Sequence, residues 1–145
     1  MANQEEHFRR LERMYSSAPI NQFFGPRLVV SEAKAEVSIR VKRDFFHAAE
    51  ALHGSVYFKA LDDAAFFAVN SLVEDRFVLT VSFNIYLLRP VSAGTIQATG
   101  RVVHRSNRLY MAESVLVDSA GLEIARGSGT FMTSSTSLTP EIGYA

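Results

Sequence analysis

Apolar and polar positions recur along this chain with two different periods, and the changes of period mark its elements. Between Asn3 and Ser17 the residues Phe8, Leu11 and Tyr15 fall at helical spacing with charge between them, and Pro19 closes the segment; this predicts a short amphipathic N-terminal helix, residues 1–20, that covers another element. From Leu28 to Lys42 the period is two. Ala33, Ala35, Val37, Ile39 and Val41 share one face and Lys34, Glu36, Ser38, Arg40 and Lys42 the other, the mark of a strand with one wet face. The stretch from Ser55 to Val73 returns to helical spacing but is apolar almost all round, so other structure must wrap it. Its polar residues Ser55, Lys59, Asp63, Asn70 and Glu74 fall mostly on one narrow stripe, and Asp62 lies about 100° away from that stripe.

Four further period-two segments follow, Phe77–Leu88, Thr95–Arg105, Leu109–Asp118 and Leu122–Thr133, separated by turns such as Ser-Asn-Arg and Ser-Ala-Gly. Short connections favour an antiparallel meander. The expected architecture is α+β: one curved antiparallel sheet of five strands wrapped around the long helix, in a single domain spanning 1–145. Residues 134–145, rich in Ser and Thr, read as a loose tail. Such a sheet leaves edges and a helix flank to cover, which points to a homo-oligomer.

Composition sharpens the functional reading. Fifteen Lys plus Arg balance fifteen Asp plus Glu, so no global field would recruit nucleic acid or an anionic membrane, and an anionic ligand must be held by a local cluster. The absence of cysteine rules out a disulfide framework, a thiolate metal site and a cysteine nucleophile. No His-x-x-x-His spacing suggests a metal, and no dinucleotide or P-loop signature suggests a cofactor. The charged start MANQEEHFRRLERMY and the lack of a long apolar run lead to the expectation of a soluble, cytoplasmic protein.

Chemistry concentrates near the start of the long helix. A carboxylate at Asp62, among Phe58, Ala65, Phe66 and Val69, is costly to bury charged, and that raises its pKa towards the range useful to a base or nucleophile. The helix start exposes N–H groups carrying partial positive charge, so the amides of Gly54 and Ser55 are candidates for an oxyanion site. Gly54 also permits close approach of substrate to the backbone. Asp63, which shares its stripe with Lys59, reads as a solvated or interface residue.

The line HAAEALHGSVYFKALDDAAFFAV, His47 to Val69, resembles the HGG motif region of PaaI-like hotdog thioesterases, in which His-Gly-Gly opens the central helix and an acidic residue follows nine positions after the His. Here His53-Gly54-Ser55 opens the helix and the ninth residue is Asp62. The segment TVSFNIYLLRPV resembles the family's second core strand, and RVVHRSNRLYMAESVLVDSAGLEIARGSGTF its closing hairpins. The resemblance extends from about Phe24 to Thr133 and implies a hotdog fold, acyl-CoA or aryl-acyl-CoA thioester hydrolysis at a site between subunits of a dimer or tetramer, and no cofactor beyond the CoA of the substrate. It places on Thr80 the hydroxyl that supports the catalytic carboxylate. Two positions depart from the pattern. Ser55 replaces the second glycine, and His47 stands where relatives often carry an Asn. His53 reads either as an anchor of the turn or as an acid–base group. Phe66 and Phe67 read as core that can also wall an acyl pocket. Arg89, Arg105, Arg108 and Arg126, near strand ends or turns, are candidates for gripping the CoA phosphates. The alternatives are an acyl-CoA-binding hotdog module without catalysis and, ranked last, a dehydratase acting on 3-hydroxyacyl thioesters.

Overall fold

The computed structural model describes residues 3–145. Helix α1 (Gln4–Ser17) is capped by the Asn3 side chain, which accepts from the Glu5 amide at 2.9 Å, and buries His7, Phe8, Leu11, Met14 and Tyr15. Pro19 does more than end it. With its φ already helical, it opens a second short helix, α2 (Pro19–Phe24), which stops at Gly25 in the left-handed conformation.

The stretch expected to be one strand from Leu28 to Lys42 is a hairpin of β1 (Arg27–Ser31) and β2 (Lys34–Arg40). Its turn carries no glycine, proline or asparagine. Ala33 takes the left-handed conformation at φ 57°, a strain of ~1–2 kcal/mol. It is held there from outside the hairpin: its N–H donates to Ser71 Oγ at 2.8 Å and its carbonyl accepts from Val102 N–H at 3.0 Å.

The central helix α3 spans Gly54–Asn70, and β3 (Arg76–Leu87), β4 (Thr95–Arg105), β5 (Leu109–Val117) and β6 (Glu123–Ser137) follow. The sheet is antiparallel with six strands in the order β1-β2-β4-β5-β6-β3. The expected arrangement of a curved sheet around a long helix is present, but the meander covers only β4 to β6. After α3 crosses the sheet, β3 joins the far edge beside β6. Leu61, Ala64 and Ala68 of α3 are fully buried against the inward faces of β2 (Val37, Ile39), β4 (Ile96, Ala98) and β5 (Leu116). The helix sits close to the sheet because Gly100 has no side chain: a Cβ there would lie 2.4 Å from the Ala64 carbonyl carbon. Ser114 pins the same contact, its hydroxyl donating to the Leu61 carbonyl at 2.7 Å.

Asn70, expected on the wet stripe, is fully buried. Its side-chain amide donates to the carbonyls of Val73 and Arg76, and its oxygen accepts from Val78 N–H. A polar group that closes the α3-to-β3 turn in this way meets its hydrogen-bonding needs without solvent. The tail is equally tied down. β6 continues to Ser137, and Tyr144 is buried with its hydroxyl 2.6 Å from His7 Nδ1. Because His7 Nε2 faces the Asn70 carbonyl at 2.9 Å, and a carbonyl only accepts, Nε2 carries the proton, and in the neutral ring Nδ1 then accepts from Tyr144.

The two edges of the sheet differ. On β1, Val30 N–H donates to Glu12 and the Val30 carbonyl accepts from Arg9, so α1 occupies that edge. Edge strand β3 instead exposes Leu79, Val81, Tyr86 and Leu87. Among the described residues no helix is long and apolar enough to cross a membrane.

Candidate active site

Two clusters of expected site residues form around α3, one at its middle and one at its start. At the middle, Asp62 Oδ1 accepts from Thr80 Oγ1 at 2.9 Å. Thr80 reaches it from β3 immediately before a register shift against β6, an irregularity that re-aims a strand side chain. Asp62 is mostly buried, and burial pushes its carboxyl up to about 6; the charge of Asp63 adds to the rise, while the Thr80 hydrogen bond and Lys59 oppose it. It opens on a cavity of about 220 Å³ whose walls include Phe66, Phe67 and Phe77. Phe66 therefore lines the carboxylate's cavity as expected. Phe58 does not: it is 40% exposed and packs edge-on against Phe83.

Asp63 is not a solvated residue. Its Oδ2 accepts from Tyr15 OH at 2.6 Å and from Lys59 Nζ at 2.8 Å, with both members of the ion pair largely covered. Lys59 also lies over the rings of Tyr15 and Phe24, 5.4 and 5.2 Å from their centroids. Burial and the Asp63 charge together hold the Tyr15 hydroxyl protonated far above its ordinary range. The Lys59–Asp63 pair is legible in the sequence as an i, i+4 pair. Tyr15, 48 residues away, gives no local signal of joining it.

At the helix start, His53 is the cap. Its Nδ1 accepts from Ser55 N–H at 3.0 Å and lies 2.8 Å from the Ser55 hydroxyl. The Ser55 amide, expected as half of an oxyanion site, is thus engaged within the chain by the His53 ring. Gly54 N–H has no partner among the described residues, as the first amide of a helix commonly does. It borders a cavity of about 290 Å³ shared with His47, Tyr57, Leu87 and Arg89. A Cβ on Gly54 would come within 3.2 Å of Leu87 Cδ1. His47 Nδ1 accepts from Ala49 N–H at 3.0 Å, leaving Nε2 without a partner among the described residues. Arg105 lies against the Tyr110 ring and, with Arg108, flanks the β4–β5 turn; neither lines either cavity. Arg126 forks onto Glu123.

Gly54 and Asp62 do not border a common cavity. Eight residues of helix separate them by about 12 Å along the axis, so one thioester carbonyl cannot meet both groups of the same chain.

A sequence profile of the Thioesterase superfamily matches residues 50–125, just over half of the chain and a stretch that includes Gly54, Asp62 and Thr80. The chain belongs to the thioesterase superfamily. Its hotdog fold is shared with solved structures: the E. coli PaaI protein from the phenylacetic acid degradation operon superposes with a TM-score of 0.84 at 20% identity, covering 94% of this chain and 99% of that one. A thioesterase family protein from Silicibacter pomeroyi gives 0.79 at 24% identity, covering 90% and 98%. A protein of Saccharolobus solfataricus named as an esterase is 30% identical over 81 residues, which are 56% of this chain and 54% of that protein. This member of the superfamily thus matches about half the length of that curated relative. Among its described residues no group of three or more His, Asp or Glu side chains is placed to hold a metal ion.

Proposed function

We propose that this protein hydrolyses acyl-CoA or aryl-acyl-CoA thioesters to the free acid and CoA, with Asp62 as general base or nucleophile. The observation that carries the reading is the mostly buried Asp62 carboxylate, pushed up to about 6 and steadied by Thr80 at 2.9 Å, in an aromatic-walled cavity. A carboxylate near neutral pKa accepts a proton from water efficiently while remaining ionised in neutral solution. Water attacks the thioester carbonyl and gives its proton to Asp62; the resulting oxyanion is met by a backbone N–H; collapse expels the CoA thiolate, which is then protonated. In the nucleophilic variant Asp62 attacks first and water cleaves the mixed anhydride.

The oxyanion donor in this reading is the unpaired Gly54 N–H of a second copy. The distance along α3 supports this, and so does the edge strand β3, whose apolar residues Leu79, Val81 and Leu87 lie open. Antiparallel pairing of two such edges would set two α3 helices head to tail, the start of one near the middle of the other. Arg89, beside Gly54, is then the best-placed arginine for a CoA phosphate, and His47 the group nearest the reacting carbonyl on that side.

The test is a panel of acyl-CoAs with a thiol reagent, applied to the native protein, to Asp62→Asn, to Gly54→Pro and to the two variants mixed by co-expression. Release of CoA that Asp62→Asn abolishes, and that reappears in the mixed oligomers, is expected, because each mixed pair keeps one site with Asp62 from one copy and Gly54 from the other. Undiminished release by Asp62→Asn rules out its role. No recovery on mixing rules out the shared site. Tight CoA binding without turnover would point instead to the binding module.

A further inference from the structure

The cavity at Asp62 has a neighbour. Between the end of α1, the start of β3 and the turn at Pro140–Ile142 lies a second, predominantly apolar cavity of about 680 Å³, and Met14, Ala18 and Phe77 line both. These three residues form the wall that the two cavities share. Met14 is almost wholly buried and Phe77 stacks on Phe66 with centroids 5.3 Å apart.

We propose that the acyl group of the substrate occupies the Asp62 cavity and that the Met14–Phe77 partition sets its length, so that the protein selects acyl groups of medium length or a single aromatic ring and rejects long chains. The inference rests on the reading of Asp62 as the reacting carboxylate. At roughly 30 Å³ per heavy atom, the volume share of one water, the cavity of about 220 Å³ holds about seven heavy atoms, a hexanoyl to octanoyl chain or a phenyl ring with a short linker. Its aromatic walls suit either. A chain of sixteen carbons exceeds it about twofold, and the larger cavity behind the partition is the adjoining apolar space for the remainder.

The partition is held from behind. Tyr15, next to Met14 in α1, donates to Asp63 on α3, and Lys59 lies against both Tyr15 and Asp63. This gives the buried pair Lys59–Asp63 a role that the hydrolytic reading leaves unassigned: it fixes α1 on α3 and so fixes where Met14 stands. On the far side Gly143 approaches so closely that a Cβ would lie 3.2 Å from Met14 Cα, which limits retreat of the helix. Methionine is the flexible element of the wall, and removing its side chain joins the two cavities.

The experiment measures kcat/KM for acyl-CoAs from C2 to C16 and for phenylacetyl-CoA. In parallel, calorimetry follows binding of the non-hydrolysable hexyl-, dodecyl- and hexadecyl-CoA thioethers to the native protein and to Met14→Ala, Met14→Leu and Phe77→Leu. Each newly buried methylene favours binding about fourfold. Met14→Ala is therefore expected to raise the hexadecyl-to-hexyl preference at least tenfold, Phe77→Leu to raise it less, and Met14→Leu, which refills the volume, to keep it low. A native protein that takes C16 as readily as C6, or a preference unmoved by both Met14→Ala and Phe77→Leu, overturns the partition while leaving the hydrolase reading intact. Thioether binding that follows the expected pattern without any CoA release would uphold the partition and sink the hydrolase reading.

Discussion

Replacing Asp62 by Asn should make the folded protein more stable at neutral pH while removing its activity. In the folded chain the carboxyl is pushed up from an ordinary 3.8 to about 6, chiefly by burial. A group whose folded pKa lies above its unfolded value favours folding when protonated. Its contribution is fully present below about pH 3.8 and is lost as pH rises through about 6, after which the ionised form carries a constant penalty. At ~1.4 kcal/mol per tenfold change in proton affinity, reduced for the partial exposure of the group, that penalty is about 2–3 kcal/mol. Asn keeps an oxygen for the Thr80 hydroxyl and carries no charge, so it escapes the penalty. Urea unfolding of both proteins at pH 4 and pH 8 measures it: the variant should match the native protein at pH 4 and exceed it by about 2 kcal/mol at pH 8, or roughly 4–8 °C in Tm for a chain of this size. Thioester hydrolysis should meanwhile fall by ~10²–10⁴. Equal stabilities at pH 8, or a gap that does not change between the two pH values, would refute the claim that Asp62 is held ionised against the cost of its burial.

Three further outcomes follow from the same geometry. Thr80→Val removes the hydrogen bond that pulls the Asp62 carboxyl down, so the acidic limb of the pH–rate profile should move upward by about one pH unit, taking ~1.5 kcal/mol for a hydrogen bond to a charged group; an unmoved limb would mean that Asp62 does not control it. Gly54→Ala and Gly54→Pro share the new Cβ contact with Leu87, and proline is tolerated at the first helical position. The loss of kcat in Pro relative to Ala therefore isolates the amide, and ~10²-fold is expected from a lost oxyanion donor. Tyr144→Phe strips the buried His7 Nδ1 of its donor and should cost ~1–3 kcal/mol in denaturant unfolding; no loss would show that the C-terminal anchor is idle.

The features legible in the sequence are those encoded by short-range repetition. The apolar run Ser55–Val73 reads as a wrapped helix and the period-two stretches as strands of a half-wet sheet, whereas the nine-residue step from His53 marks Asp62 over Asp63 only through likeness to the family motif. Thr80 was reachable only through likeness to a family, since nothing near residue 80 announces a partner at residue 62. The errors share one cause. The turn at Ala33 lacks turn residues because Ser71 and Val102 hold it from other elements; Asn70 looked wet because its partners Val73, Arg76 and Val78 lie past the helix end; the polar tail looked loose because His7 fastens it from the other end of the chain.

By itself, then, the sequence marked the long helix and most of the strands, because periodicity is a local property, and likeness to a family motif nominated Asp62. Only the tertiary structure decided that the Ser55 amide is consumed by His53, that Asp63 braces Tyr15, and that Gly54 stands too far from Asp62 to serve it in the same chain. Each of these depends on which side chain or amide reaches which partner in space, and that choice is made by the geometry of the helix cap, by packing between elements distant in sequence or by the rise of the helix.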